Sequence, residues 1–521
     1  MMTSVPTDHL LDLSRSVSMT GKLLRHAHEI PDQHAVVFRG DGITWSTYAD
    51  LVLRMAQHLR DRGVGRGDRV AVVLTNRPEF LVVTAAADAI GAIIVPVNFR
   101  LTGSEIAYIV DMVDPVVLFT ESGTHQLAVH ALGETTSQPA LVDCDEVDLL
   151  TPSSYPAGPL EVSDIVIPDP HDDFVILHTS GTTGHPKGAV LSNLTVFSAA
   201  VQNAARWGAN SDSGVIMLAP PLFHIGSFAS SQAALAGGAA ALVIPSAGFD
   251  PEQALHNMKT SAVTAAFMVP QQWSLICDII ERTGSEGLAI THASWGGAPA
   301  TEKLLTRMAA CMPDAEITAV FGQTETTGTA VSLPFADSLR KIGSVGKPTA
   351  ETSVRIVDGD MNDVGVDEVG EIVYRGPCVM SRYWNNPEAT AEAFHGGWFH
   401  SGDLVRRDSE GFIYVVDRLK DMIISGGENI YCAEIENVLA WHPEVVEVSV
   451  VGRPDEKWGE VPVACIVPKD PENPPSLDDV RAFLGDKLAK YKHPKELQVF
   501  DVLPRSGMGK ILKTNLRESV R

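Results

Sequence analysis

His178-Thr179-Ser180-Gly181-Thr182-Thr183-Gly184-His185-Pro186-Lys187-Gly188 places hydroxyls, glycines and a single lysine within one short stretch. The apolar run Phe174-Val175-Ile176-Leu177 precedes it and Ala189-Val190-Leu191-Ser192-Asn193 follows. That order predicts a strand, a tight loop, and then a second short strand or the start of a helix. Glycines let the backbone come close to a ligand. Successive backbone N–H groups in such a turn form a concavity that accepts anions. Lys187 adds a point charge, and the Ser and Thr hydroxyls add donors. The loop has the composition of a phosphate holder. It is not a Walker loop, which needs Lys directly after Gly and before Ser or Thr; here two residues separate Gly184 from Lys187, and Gly188 comes next.

Outward from this loop, the chain reads as a layered α/β protein. With 521 residues it exceeds one ordinary core, so two or more domains are expected. Helical spacing from Tyr48 to Arg62 is stopped by Gly63-Val64-Gly65, and Val70 to Leu74 reads as a buried strand. A helix from Pro78 to Ile90 and a strand from Ala92 to Val97 follow, and strand-like runs recur at 215–219, 241–245, 263–269 and 317–321. This alternation predicts largely parallel sheets. From about residue 352 to 417 short strands and turns replace it (Ser353 to Val357, Gly370 to Arg375, Gly411 to Val416), which marks a small β-rich subdomain. The remainder reads as a compact α+β module: helices over 433–441 and 476–490, strands over 445–451, 461–467 and 495–499. The charged Asp417-Arg418-Leu419-Lys420-Asp421 is a candidate linker ahead of it. The expected division is therefore a large N-terminal domain over 1–419 and a small mobile domain over 420–521.

Composition narrows the function. The formal charge of −25 opposes nucleic acid as a main partner and gives no general attraction to anionic lipid. Cys144, Cys277, Cys311, Cys378, Cys432 and Cys465 are scattered, without metal-ligand spacing or a disulfide framework, as in a reducing compartment. Asp8, Asp12 and Arg15 break up any N-terminal signal core, and the apolar stretch near 81–97 is interrupted by Asp88 and Pro96, so the expectation is a cytoplasmic protein without a membrane span. Association into a homodimer is left open.

Five further segments, with a closing lysine loop, stand in an order that extends the first. They are Pro221-Leu222-Phe223-His224-Ile225-Gly226, Trp295-Gly296-Gly297-Ala298-Pro299, Phe321-Gly322-Gln323-Thr324-Glu325, Gly397-Trp398-Phe399-His400-Ser401-Gly402-Asp403, and Asp417 through Ser425-Gly426-Gly427-Glu428-Asn429-Ile430-Tyr431. Pro504-Arg505-Ser506-Gly507-Met508-Gly509-Lys510 closes the set. With the loop at 178–188 they cover nearly the whole chain, which thereby resembles the acyl-CoA synthetase branch of the adenylate-forming superfamily (acyl and aryl-CoA synthetases, peptide-synthetase adenylation domains, luciferases). The likeness is strongest to actinobacterial fatty-acid–CoA ligases.

The resemblance implies a large domain that holds ATP and the acid, and a small one that closes over them. It places Thr179, Ser180, Gly181, Thr182, Thr183, Gly184 and Lys187 at the phosphates. Gly297, Ala298, Phe321, Gly322, Gln323 and Thr324 fall beside the adenine and α-phosphate, and Asp403 with Arg418 at the ribose. The family's aromatic at position 321 is usually Tyr; Phe321 keeps the stacking face and lacks the hydroxyl. Glu325, with Thr182, is the implied Mg²⁺ site, since a carboxylate oxygen suits a hard cation bridging phosphates. His224, Val269, Trp273, Gly296 and Gly427 fall along the acyl and CoA path, Lys420 at the hinge, and Lys510 is the implied catalytic lysine, with Thr182 and Glu325 assisting.

The implied activity is ATP-dependent conversion of a carboxylic acid to acyl-AMP, then transfer to CoA, the preferred acid being a medium- or long-chain fatty acid. ATP, Mg²⁺ and CoA are the implied cofactors and co-substrates. Delivery to a carrier protein, an aryl or steroid-side-chain acid, and a non-enzymatic acyl or nucleotide sensor stand as alternatives.

Overall fold

A computed structural model of the protein describes residues 7–179, 186–209, 214–246, 248–298, 300–426, 428–505 and 511–520. The chain divides into two compact units, Met1–Val354 with Tyr374–Phe399, and Arg355–Val373 with His400–Arg521. The β-rich stretch at 352–417 is shared between them, and Lys420 lies inside the second.

The first unit contains two sheets. One has seven strands among the described residues, in the order Arg382–Tyr383, Lys187–Ser192, Asp173–Thr179, Ile93–Pro96, Arg69–Val73, Val117–Thr120, Ala140–Asp143. The five strands from Asp173–Thr179 onward pair in parallel. Lys187–Ser192 runs antiparallel to Asp173–Thr179, so the residue run after the phosphate-type loop is a strand, not a helix start. The other sheet carries Glu316–Phe321, His292–Trp295, Ala265–Met268, Val215–Leu218, Ala240–Val243 and His34–Phe38, side by side and parallel. Parallel strands are covered on both faces and so read as unbroken apolar runs; Val70, Ala71, Val72 and Val73 are all buried.

Helices supply that cover. Trp45–Asp61 begins three residues before the spacing predicts because Thr44 accepts from the Thr47 N–H and caps it. Every residue of Pro78–Ala89 is buried. No helix among the described residues is long and apolar enough to cross a membrane.

The second unit is built on an antiparallel sheet in the order Glu428–Ile430, Ile423–Ser425, Gly459–Pro468, Val445–Asp455, with Glu496–Val499 added in parallel to Gly459–Pro468. Ile435 and Leu439 from the helix Cys432–Leu439, and Val480 and Leu484 from Leu477–Leu484, pack on Val450 and Ala464. The helix expected over 476–490 ends at Leu484 because Gly485 turns to φ +42°. An antiparallel pair, Phe399–Arg407 with Ile413–Arg418, lies almost wholly in this unit.

Candidate functional site

Three of the segments singled out in the sequence, and Val269, emerge at one end of the first unit's parallel sheet. Val215–Leu218 runs out toward Pro221 to Gly226, Ala265–Met268 into Val269, His292–Trp295 into Gly296, Gly297 and Ala298, and Glu316–Phe321 into Gly322 to Glu325. These four strands are neighbours, so the segments share the carboxyl edge of the sheet, where open α/β sheets bind ligands.

The backbone there is tightly constrained. A Cβ on Gly296 would stand 2.4 Å from the carbonyl oxygen of Val320 on the adjacent strand. Trp273 is fully buried, and its indole N–H donates to the Ser294 carbonyl at 2.9 Å, pinning the helix Pro270–Thr283 to His292–Trp295. Val269 is the residue before that helix. His224 caps the helix Ile225–Gly237, its ring tilted against Phe223 at 5.2 Å between centroids.

A residue outside the quoted motifs stands among them. Phe267 pairs in register with Ser294, so both side chains leave the same face of the sheet. The Phe267 ring reaches between two glycines: a Cβ on Gly226 would lie 2.6 Å from its Cε1, and one on Gly296 3.3 Å from its Cε2. The Ser294 hydroxyl is buried and has no hydrogen-bond partner among the described residues. Gly226 and Gly296 are far apart in sequence, so only the fold reveals that they make room for one ring.

In the seven-stranded sheet, Thr179 and Lys187 face each other across the ends of their strands. Ser180, Gly181, Thr182, Thr183 and Gly184 lie outside the described residues, as do Gly427 and Lys510. His178, one residue before Thr179, is pushed down to about 4 by burial and is neutral at physiological pH. The Lys187 ammonium stands 5.1 Å from the centroid of the Tyr383 ring. The Tyr383 hydroxyl donates to Glu325 Oε1 at 2.9 Å in a buried contact.

Glu325 is in a short turn, Thr324–Thr326, directly after Phe321-Gly322-Gln323. Thr326 Oγ1 accepts from the Gln323 N–H, and the Glu325 carbonyl accepts from the Met380 N–H at 2.7 Å. No group of three or more His, Cys, Asp or Glu among the described residues is placed to hold a metal by itself. One nearly buried carboxylate that shares Tyr383 with a lysine fits a different case, Mg²⁺ carried on substrate phosphates, which keeps waters and takes one or two protein carboxylates.

In the second unit, Asp403 and Arg418 are cross-strand partners, the guanidinium Nε 3.2 Å from Asp403 Oδ1. The Asp403 N–H donates to Ser401 Oγ, and Glu371 fixes the preceding turn by accepting from the Gly402 N–H and pairing with His400 at 2.7 Å. Lys420 is exposed, and its carbonyl accepts from Arg517 at 3.1 Å.

Comparison with known proteins agrees with this arrangement. The family model described as AMP-binding enzyme matches residues 23–384, and that described as AMP-binding enzyme C-terminal domain matches 434–510. The chain is similar to a feruloyl-CoA synthase of Amycolatopsis (36% identity, covering 95% of this chain and 97% of the relative). It is also similar to a long-chain-fatty-acid–CoA ligase of Mycobacterium tuberculosis (35% identity, 91% and 93% covered). Among solved structures, it is similar to the o-succinylbenzoate CoA synthetase of Bacillus subtilis in complex with its acyl-adenylate intermediate (TM-score 0.85, 31% identity, 95% and 97% covered). The same enzyme in complex with ATP and magnesium ion gives a TM-score of 0.84 at 30% identity, 95% and 98% covered. The chain belongs to the AMP-binding enzyme family.

Proposed function

We propose that this family member is an ATP-dependent, AMP-forming acid–CoA ligase that activates a carboxylic acid as acyl-AMP and transfers the acyl group to CoA. The observation that carries the reading is the convergence of three motif segments and Val269 on neighbouring parallel strand ends. ATP-, magnesium- and acyl-adenylate-bound structures of a similar enzyme support it.

A carboxylate is a poor acyl donor because oxide would have to leave. Attack of a carboxylate oxygen on the α-phosphorus, with the bond to pyrophosphate breaking, supplies AMP as a leaving group. The thiol of CoA then attacks the acyl carbon, loses its proton, and AMP departs. The obstacle in the first step is two anions approaching while charge builds on phosphate, which fixed cations and aimed donors relieve. Lys187 and the loop 179–188 hold the β- and γ-phosphates. Phe321 offers a face to adenine, alongside Gly297, Ala298, Gly322 and Gln323, and Thr324 a hydroxyl to the α-phosphate. Glu325, with Thr182, would hold Mg²⁺, which when bound neutralises phosphate oxygens. In the second unit Asp403 and Arg418 take the ribose hydroxyls, and Lys510 supplies positive charge between the carboxylate and the α-phosphate. Lys420 is the pivot and Gly427 borders the thiol route, with a change of conformation between the two half-reactions.

The acid has two readings. A medium- or long-chain fatty acid is supported by the Mycobacterium tuberculosis relative. A compact aryl acid is favoured by the Phe267 ring filling the space left by Gly226 and Gly296, and by the Ser294 hydroxyl on the same face, which has no hydrogen-bond partner among the described residues. Purified protein given ATP, Mg²⁺, CoA and acids from acetate to palmitate, with benzoate-, cinnamate- and steroid-side-chain-type acids, and analysed by mass spectrometry, tests both. The CoA ester of an aryl acid is expected, and Phe267→Ala is expected to raise use of dodecanoate about tenfold relative to it. Preference of the unaltered protein for palmitate overturns the aryl reading; acyl-AMP without any CoA ester points to a carrier-protein acceptor. Lys510→Ala is expected to abolish acyl-AMP formation and spare thioester formation from supplied acyl-AMP; equal loss in both overturns the role of Lys510.

A further inference from the structure

Tyr383 lies outside every motif that the sequence singles out, yet it touches two of the charged groups on which adenylation depends. It belongs to the two-residue strand Arg382–Tyr383, paired antiparallel with Lys187–Ser192, with Tyr383 opposite Ala189. From there its hydroxyl donates to Glu325 Oε1 at 2.9 Å, and its ring presents a face to the Lys187 ammonium at 5.1 Å. Its own backbone N–H donates to Thr390 Oγ1 at 3.0 Å. The same chain segment grips the Glu325 backbone through the Met380 N–H. Glu325 is thus tied to 380–383 by main chain and side chain together.

The chemistry of these contacts is asymmetric in a useful way. A phenol donating to one carboxylate oxygen fixes the plane of the carboxylate, so the second oxygen keeps a set direction for a hard cation. An ammonium over an aromatic face is confined without being neutralised, so its charge stays available to an anion. A carboxylate partner for Lys187 would cancel it.

We propose that Tyr383 is a positioning residue for the adenylation step, holding the Glu325 carboxylate in orientation for the divalent cation of ATP and Lys187 in place for its phosphates. The inference rests on the assignment of Glu325 to the metal, and its test separates the two. Mn²⁺ is titrated into the full-length protein with ATP and without acid, and free Mn²⁺ is read by electron paramagnetic resonance, so that no turnover enters. Tyr383→Phe, which keeps the ring over Lys187, is expected to weaken Mn²⁺ binding in the presence of ATP about tenfold. The Mg²⁺ concentration needed for half-maximal acyl-AMP formation rises in parallel, while thioester formation from supplied acyl-AMP is unchanged. Glu325→Gln weakens Mn²⁺ binding at least as much, and Tyr383→Phe adds nothing in the Glu325→Gln background. Unaltered Mn²⁺ binding in Tyr383→Phe beside weakened binding in Glu325→Gln overturns the role of Tyr383 alone, as does an additive loss in the double variant. Unaltered binding in Glu325→Gln overturns the metal assignment itself.

Discussion

The strand ends of the first unit and the Asp417–Asp421 segment of the second hold their residues by opposite means. In the first, position is set by packing of backbone on backbone: Gly296 has no room for a Cβ, and Trp273 is a fully buried clamp. In the second, position is set by charge and side-chain hydrogen bonds. Arg517 bonds the Asp421 carboxylate at 2.6 Å and the Lys420 carbonyl, Cys432 Sγ donates to the Asp421 carbonyl at 3.0 Å, and Asp417 accepts from the Arg418 and Ala433 N–H groups. Close packing tolerates almost no change of volume. Paired charges near water yield gradually and respond to salt. The proposed function, which needs a fixed floor for substrates and a segment that changes conformation, calls for this difference.

The largest effect should come from the packed side. Gly296→Ala drives a methyl into the Val320 carbonyl, which belongs to the neighbouring strand and has no rotamer by which to move away. The strand end must shift, and a displacement of about 1 Å at a reacting site costs on the order of a hundredfold in rate. Pyrophosphate release in the adenylation half-reaction is expected to fall by about that factor, with the fold retained by circular dichroism. A variant within a few-fold of the unaltered protein would mean that the strand ends are as adjustable as the second unit.

That contrast also explains what the sequence made legible. The parallel α/β layering was visible because a strand covered on both faces is written as an uninterrupted apolar run, as in Val70 to Val73. The second sheet and its strand order were not, since nothing local says that Val215–Leu218 lies between Ala240–Val243 and Ala265–Met268. The motifs that hold Glu325, Asp403 and Arg418 were visible in the sequence, and the fold adds that the last two pair across strands. Phe267 and Tyr383 were not. Each owes its role to partners from distant segments, Gly226 with Gly296 in one case and Lys187 with Glu325 in the other. The overlong helix at 476–490 came from apolar spacing that continued through Gly485, whose backbone conformation the spacing does not encode.

A middle-sized effect concerns acid. His178 has a value of about 4 in the folded protein against an ordinary 6.5. The unfolded chain therefore takes up this proton first. The contribution of His178 to stability is complete above about pH 6.5, declines as pH falls toward 4, and is constant below that. At pH 5 the loss is about 2 kcal/mol. His26 and His58, also in the first unit and also near 4 through burial, act in the same direction. Denaturant unfolding at pH 7 and pH 5 should show His178→Gln losing about 2 kcal/mol less than the unaltered protein over that interval. An identical pH dependence in the variant would place the acid sensitivity elsewhere and remove this distinction of the packed unit.

The smallest effect tests the charged side. Arg517 lies on the helix Lys513–Ser519 and grips the peptide group just after Lys420, through the Lys420 carbonyl and the Asp421 carboxylate. That carbonyl and the residue after it move as one plane, so the grip fixes everything downstream of the Lys420 φ and ψ torsions and leaves those two free. The pair is partly buried, with side-chain exposures of 28% and 11%, so its loss is expected to cost about 1 kcal/mol rather than nothing. Arg517→Ala should therefore lower stability by about that much in dilute buffer and less at high salt. Arg517→Lys should recover only part of it, because both bonds come from the terminal Nη2 of Arg517 and a lysine side chain is shorter. Each half-reaction should change by about threefold or less, because a loosened grip adds compliance at the proposed pivot, Lys420, without removing a group from the chemistry. A salt-independent loss of several kcal/mol would show the segment to be held by packing after all. The two units would then differ in topology but not in the way they fix their residues, and Lys420 would have no more freedom than Gly296.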